Sequence, residues 1–194
     1  MVKRVFIVHR WDGSPDVDWY PWLKKELEAR KFQVEVPAMP NPEEPEIDEW
    51  VSHLRETVGE ANKDTYFVGH SVGCQTILRY LETLSEETKI GGVIMVAGWL
   101  NLIGVDKEEM MVARPWIETD IQWHRIIPLT NNFVSIFSDN DPYVPIGDAK
   151  LFEEHLNARI VFESRKGHFT SEDNVTSLMV VLNEFMRMSG PTGT

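Results

Sequence analysis

Thr65-Tyr66-Phe67-Val68-Gly69-His70-Ser71-Val72-Gly73-Cys74-Gln75-Thr76-Ile77-Leu78-Arg79-Tyr80-Leu81 changes periodicity at its centre. Its first residues are β-branched and aromatic and suit a buried strand, whereas Val72, Ile77, Leu78 and Leu81 recur at roughly helical spacing. Between the two patterns stands Gly69-His70-Ser71-Val72-Gly73. The segment therefore reads as strand, sharp turn and helix, with flanking glycines that let the strand and helix approach without a side chain between them. Ser71, at the tip of such a turn, is a candidate nucleophile. A bare Gly-x-Ser-x-Gly arises by chance in roughly one chain in fifteen of this length. The reading therefore rests on the strand before it, the helix after it and suitable partners further along the chain.

The chain has 194 residues, enough for one domain, 1–194, with a core covered on both faces. Lys plus Arg number 19 against 31 Asp plus Glu, a net charge of -12, and no basic cluster could track a phosphate backbone. Nucleic acid is thereby excluded as an expected partner. Cys74 is the only cysteine, which rules out an intrachain disulfide and suits a reducing compartment. Just past the turn, it reads as a small residue packing the helix rather than as a second nucleophile. The apolar run Val5 to His9 follows Lys3 and Arg4 but is too short for a signal sequence. Nothing approaches the ~18 consecutive apolar residues of a membrane span. A soluble, cytoplasmic protein with no membrane partner is expected.

Taken in order, Val5 to His9 predicts a first strand, and Trp19, Trp22, Leu23 and Leu27 predict a helix. Gln33 to Val36 is a second strand, ending in the loop Pro37 to Pro45, whose prolines exclude helix or central strand. Trp50, Val51, Leu54 and Val58 mark one face of a helix over Ile47 to Val58. Beyond the Ser71 segment come strands at Gly91–Ala97, Asn132–Phe137 and Arg159–Phe162, a helix over Asp148–Leu156 and a last helix over about Glu172–Arg187. A frayed tail is expected at Ser189 to Thr194. About six apolar strands alternating with helices predict an α/β, doubly wound, mostly parallel sheet with helices on both faces. Residues 98–128 break the alternation. With Trp99, Met110, Met111, Trp116 and Trp123 among acidic residues, they form either a short cap lining a substrate pocket or an irregular crossover that closes the core.

A serine hydroxyl needs a positioned base, and the base needs a third group to orient it. Active-site groups in this architecture gather beyond the carboxyl ends of the strands. Of His9, His53, His124, His155 and His168, that favours His168, which follows the sixth strand in Gly167-His168-Phe169; His155 reads as a helix-surface residue. The orienting acid falls in Ser138-Asp139-Asn140-Asp141-Pro142-Tyr143-Val144-Pro145. Asp139 and Asp141 both qualify; Asp141 is favoured because Pro142 holds it extended, whereas Asp139 suits the ordinary role of binding loop amides. Charge developing on a substrate oxygen needs backbone donors. Val72 at the helix start is one, and Arg10 or Trp11 in the loop after the first strand is the other.

These three motifs, in the order Ser, Asp, His, resemble the α/β-hydrolase superfamily. More narrowly, the chain resembles the small, nearly lidless serine hydrolases grouped with retinoblastoma-binding protein nine and its bacterial relatives, from Val5 to Phe185. The resemblance implies a minimal α/β-hydrolase fold that starts at the superfamily's third strand, with Ser71 as nucleophile, Asp141 as acid and His168 as base. Related hydrolases often carry His-Gly after the first strand; this chain has His9-Arg10.

The expected activity is a serine hydrolase that forms an acyl-enzyme on a small ester, thioester or amide. No metal or organic cofactor is expected, and Trp99, Trp116 and Trp123 are candidate lining of a shallow, open pocket. The residues leave esterase and peptidase both open. The rival reading is a non-catalytic interaction module on a hydrolase scaffold, docking through the Trp-rich segment or the Pro37–Pro45 loop.

Overall fold

The computed structural model describes residues 2–190. Its strands are β1 (Arg4–Val8), β2 (Gln33–Glu35), β3 (Thr65–His70), β4 (Gly92–Val96), β5 (Phe133–Ser138) and β6 (Arg159–Glu163). They form one six-stranded sheet in the order β2-β1-β3-β4-β5-β6, with every neighbouring pair parallel. The helices are α1 (Tyr20–Glu28), α2 (Ile47–Val58), α3 (Val72–Glu82), α4 (Lys107–Glu118), α5 (Trp123–Ile126), α6 (Asp148–Leu156) and α7 (Met179–Ser189). The doubly wound α/β sheet expected from the alternation of apolar strands and helices is the architecture found.

Strands β3 and β4 are buried along their whole length. A parallel strand covered by helices on both faces must be apolar throughout, which is why Phe67-Val68 and Val93-Ile94-Met95-Val96 lack polar alternation. Helices α1 and α7 pack together on one face, while α2 packs on α3 and α3 on α5 on the other. The chain runs outward from β1 to β2 and returns across β1 to β3, so the crossovers change direction between β1 and β3. Val8 is in register with Gly69, and His70 with Val96. A sheet that reverses its winding there leaves a crevice beyond the carboxyl ends of the two strands. The Ser71 turn and the loop after β1 both open into that crevice.

The last helix differs from expectation. It starts at Met179 rather than near Glu172. Asn174 takes a left-handed backbone (φ 61°), and the Asp173 carboxylate accepts the Thr170 hydroxyl and amide. That side-chain turn competes with helix at this point. Val175 and Leu178 are buried all the same, so the apolar periodicity reported burial and not conformation. Ser189 closes α7 and its carbonyl accepts the Lys3 ammonium; the rest of the expected frayed tail, from 191 on, lies outside the described residues.

In the irregular stretch between β4 and β5, Asp106 caps α4 reciprocally with Glu109, a capping box. The buried Arg79 of α3 donates to the Trp116 and Thr119 carbonyls at 2.7 and 2.8 Å, filling acceptors that the C-terminal end of α4 leaves open. Among the described residues no helix is long and apolar enough to cross a membrane.

Candidate active site

Ser71 sits between β3 and α3 with φ 55° and ψ -121°, a conformation that costs a non-glycine residue about 1–3 kcal/mol and needs the surrounding fold to hold it. Its amide donates to the Val96 carbonyl at 2.9 Å, which fastens the turn to the end of β4. The glycines explain how the turn fits. A Cβ on Gly73 would lie 2.3 Å from the Val8 carbonyl oxygen, and one on Gly69 would lie 2.8 Å from the Cys74 backbone. Only a bare backbone lets α3 start this close to β1 and β3.

His168 lies in the loop after β6, and its Nδ1 is 2.9 Å from Asp141 Oδ2. The other Asp141 oxygen accepts the Tyr143 and Val144 amides at 2.9 and 3.1 Å. Both side chains are largely buried, and the carboxylate has an N–H partner on each oxygen. A carboxylate on Nδ1 fixes the tautomer that leaves Nε2 free to accept a proton. Asp139 goes elsewhere: it accepts the Arg165 amide and the Ser164 hydroxyl, both at 2.7 Å, and these donors lower its pKa below the usual carboxylate value.

The two loops are stitched together between these aspartates. Asn140 Oδ1 accepts the Gly167 amide at 2.9 Å, and Ser138 Oγ accepts the Lys166 amide at 3.0 Å. Asp173 accepts the His168 amide at 2.8 Å. Sequence reasoning missed Asn140, Ser138 and Asp173, because a polar residue in a loop gives no sign of which distant amide it will meet.

His70 is fully buried. Its Nε2 faces the His168 carbonyl at 2.7 Å, and its Nδ1 faces the Tyr20 hydroxyl at 2.6 Å. Burial pushes its pKa well below 6.5, so the ring is neutral with one N–H. A carbonyl can only accept, so that hydrogen is on Nε2 and Nδ1 accepts from Tyr20.

Tyr20 in turn accepts the Arg10 amide at 3.1 Å. The Arg10 amide is therefore occupied within the fold, whereas the Trp11 and Val72 amides have no protein acceptor among the described residues. The Arg10 side chain folds back onto Asp18 at 2.8 Å, and Asp18 also accepts the Ser171 amide at 2.7 Å, joining the loop after β1 to the His168 loop. His9, considered as a base, is instead a clamp between loops. It is buried, accepts the Met39 amide on Nε2 and donates from Nδ1 to the Arg10 carbonyl.

Of the three tryptophans proposed as lining, the structure brings Trp99 to Ser71: its indole Nε1 donates to Ser71 Oγ at 3.3 Å. Trp116 is buried against Trp50 and donates to the Pro45 carbonyl, and Trp123 stacks on His155 with ring centroids 4.6 Å apart. Neither hydrogen-bonds to Ser71, Asp141 or His168 among the described residues, and no hydrogen bond joins Ser71 Oγ to the His168 ring. Cys74 is fully buried, and its thiol pKa is raised by desolvation, as suits packing rather than reaction. Grooves of about 450 and 200 Å³ occur beside Met179 and beside Lys24, neither lined by Ser71, Asp141 or His168. Among the described residues no group of three or more His, Cys, Asp or Glu is placed to hold a metal ion.

A parallel sheet, a strained serine between its third strand and a helix, and an Asp–His pair in the neighbouring loops together define the class of α/β serine hydrolases. The chain belongs to the serine hydrolase family, whose profile matches residues 5–186. It is 31% identical to YdeN of Bacillus subtilis over 181 residues, 93% of each chain. It is 27% identical to the serine hydrolase RBBP9 of Rattus norvegicus over 168 residues, 84% of this chain and 85% of that one. The crystal structure of YdeN superposes with a TM-score of 0.89, covering 96% of this chain and 98% of that one. An esterase domain from Rhodothermus marinus shares the fold at a TM-score of 0.67 and 13% identity, over 95% of this chain and 86% of that one.

Proposed function

We propose that this hydrolase works through an acyl-enzyme on small esters, thioesters or amides, with Ser71 as nucleophile, His168 as base and Asp141 as its orienting acid. The observation that carries the reading is the His168–Asp141 contact at 2.9 Å in the loops that border a serine held at positive φ. His168 Nε2 closes on the Ser71 hydroxyl when substrate enters, while Oγ keeps the indole N–H of Trp99, in keeping with catalytic hydrogen bonds that tighten only in the complex. The hydroxyl proton passes to His168 Nε2 as Oγ attacks the carbonyl carbon, and the carbonyl π pair moves onto oxygen. That oxyanion is met by the Val72 and Trp11 amides, the donors left free on the two sides of the crevice. Collapse expels the alcohol, thiol or amine, which takes the proton from His168. Water then repeats the sequence, releasing the acid and Ser71.

An apolar rim favours a substrate with an apolar portion. Tyr143 stands edge-on to the His168 ring at 5.3 Å, its carbonyl accepts the Ile103 amide, and Ile103, Tyr143 and Ile146 are all exposed. A fluorophosphonate probe tests the reading. Labelling that disappears in Ser71→Ala supports it; absence of labelling in folded wild-type protein overturns it in favour of an interaction module on a hydrolase scaffold.

A further inference from the structure

The hydrogen bond from Trp99 to Ser71 is set up by a dedicated clamp. Trp99 follows β4 by way of Ala97, whose φ of 46° turns the chain sharply back toward the Ser71 turn. The Gln75 side chain, buried in α3, donates to the Trp99 carbonyl at 2.7 Å. The Asp148 carboxylate, buried at the start of α6, accepts the Leu100 amide at 2.6 Å and the Asn101 amide and side chain at 2.8 Å each. Two helices thus fix the main chain at and just after a tryptophan that is itself 1% exposed. The result is an indole N–H aimed at the oxygen of a nucleophile that is itself buried.

We propose that Trp99 Nε1–H is a catalytic donor to Ser71 Oγ that acts chiefly when the acyl-enzyme breaks down. This inference rests on the acyl-enzyme reading above and adds a residue to it. The resting contact of 3.3 Å is longer than the usual N–H···O distance of about 2.9–3.0 Å, which leaves room for it to shorten when charge develops on Oγ. Bonds to a charged oxygen are shorter and about twice as strong.

In the acyl-enzyme, Oγ is an ester oxygen and a weaker acceptor than the free hydroxyl. During hydrolysis His168 takes a proton from water as the water oxygen attacks the acyl carbon. The tetrahedral intermediate then collapses: the C–Oγ bond breaks, its electron pair goes to Oγ, and His168 returns the proton to Oγ. The donor thus meets a weak acceptor before this step and a charged one during it. In acylation the starting hydroxyl already accepts the bond, so less is gained in that transition state. The indole accordingly speeds hydrolysis of the acyl-enzyme more than its formation.

The test uses the full-length protein and two replacements: Trp99→Phe, and substitution of Trp99 by benzothienylalanine, which keeps the bicyclic shape but has sulfur where the N–H was. Fluorophosphonate labelling and the p-nitrophenyl acetate burst read acylation; the steady state after the burst reads hydrolysis. In both variants hydrolysis is expected to slow by about 10²-fold and acylation by about threefold, the larger loss being at the lower end of that for a missing transition-state donor. Equal losses in the two rates, or no loss in either, overturn the inference, and the near-isosteric variant alone decides between these outcomes if Trp99→Phe does not fold. Labelled wild type with unchanged variants sinks this inference alone. Unlabelled wild type sinks the acyl-enzyme reading beneath it.

Discussion

His70 Nε2 donates to the main-chain carbonyl of His168 at 2.7 Å, so the residue just before the candidate nucleophile holds the loop of the candidate base. The same ring accepts the Tyr20 hydroxyl, which accepts the Arg10 amide. One buried imidazole thus connects the turn, the loop after β1 and the loop after β6. His70→Leu keeps the bulk and removes both bonds, leaving the Tyr20 hydroxyl without an acceptor and the His168 carbonyl without a donor. Each unsatisfied group costs about 1–3 kcal/mol, so a loss of about 2–5 kcal/mol is expected in urea unfolding. Turnover should fall with it, in kcat more than in KM, because the base loses its anchor and the rim does not.

The buried histidines also set a pH dependence of stability. His9 and His70 both have folded pKa values lowered from 6.5, mainly by desolvation. Below pH 6.5 the unfolded chain binds protons that the folded chain does not, so unfolding is favoured as pH falls. Their contribution is complete above pH 6.5 and is lost from there down toward the folded pKa values, with a slope of up to about 1.4 kcal/mol per pH unit for each ring. Urea midpoints at pH 7, 6 and 5 should decline, and the decline should be shallower in His70→Leu. An equal slope in the two proteins would assign the proton uptake elsewhere.

Much of this was legible in the chain and some was not. The sheet could be read because continuous apolar runs such as Val93 to Val96 occur only where both faces are covered. The Ser71 turn could be read because Gly69 and Gly73 mark close backbone approach. Asp141 stood out from Asp139 only through Pro142, and the geometry that separates them, one reaching His168 and the other Arg165 and Ser164, is long-range. The occupied Arg10 amide was invisible for the same reason: its partner, Tyr20, reads from sequence as an ordinary helix residue. The helix expected from Glu172 failed because the Asp173 side chain outcompeted local periodicity.

The two aspartates give opposite expectations. Asp141→Asn keeps the shape but can present an amide N–H to His168 Nδ1, favouring the tautomer in which Nε2 cannot accept the Ser71 proton. A fall in kcat of about 10³- to 10⁴-fold is expected, the scale of losing the orienting acid of a Ser-His-Asp site. Asp139→Asn removes only a solvent-exposed loop contact and should leave kcat within about threefold. Parallel kinetics on p-nitrophenyl acetate decide; a large loss at Asp139 with little at Asp141 would reverse the assignment.

Gly73→Ala tests whether the turn needs bare backbone. The new methyl would lie 2.3 Å from the Val8 carbonyl oxygen and 2.7 Å from that of His9. Both are main-chain atoms at the end of a buried strand and cannot swing aside as a side chain would. Helix α3 must therefore move away from β1, carrying with it the Val72 amide and the φ of Ser71. Because overpacking usually costs about 1–3 kcal/mol, the protein should still fold, with a lowered Tm. The fluorophosphonate labelling rate should nevertheless drop by about 10² or more, since a shift near 1 Å at a reacting group costs that much. A variant that labels at the wild-type rate would show that the elbow tolerates a side chain and that its glycines serve packing alone.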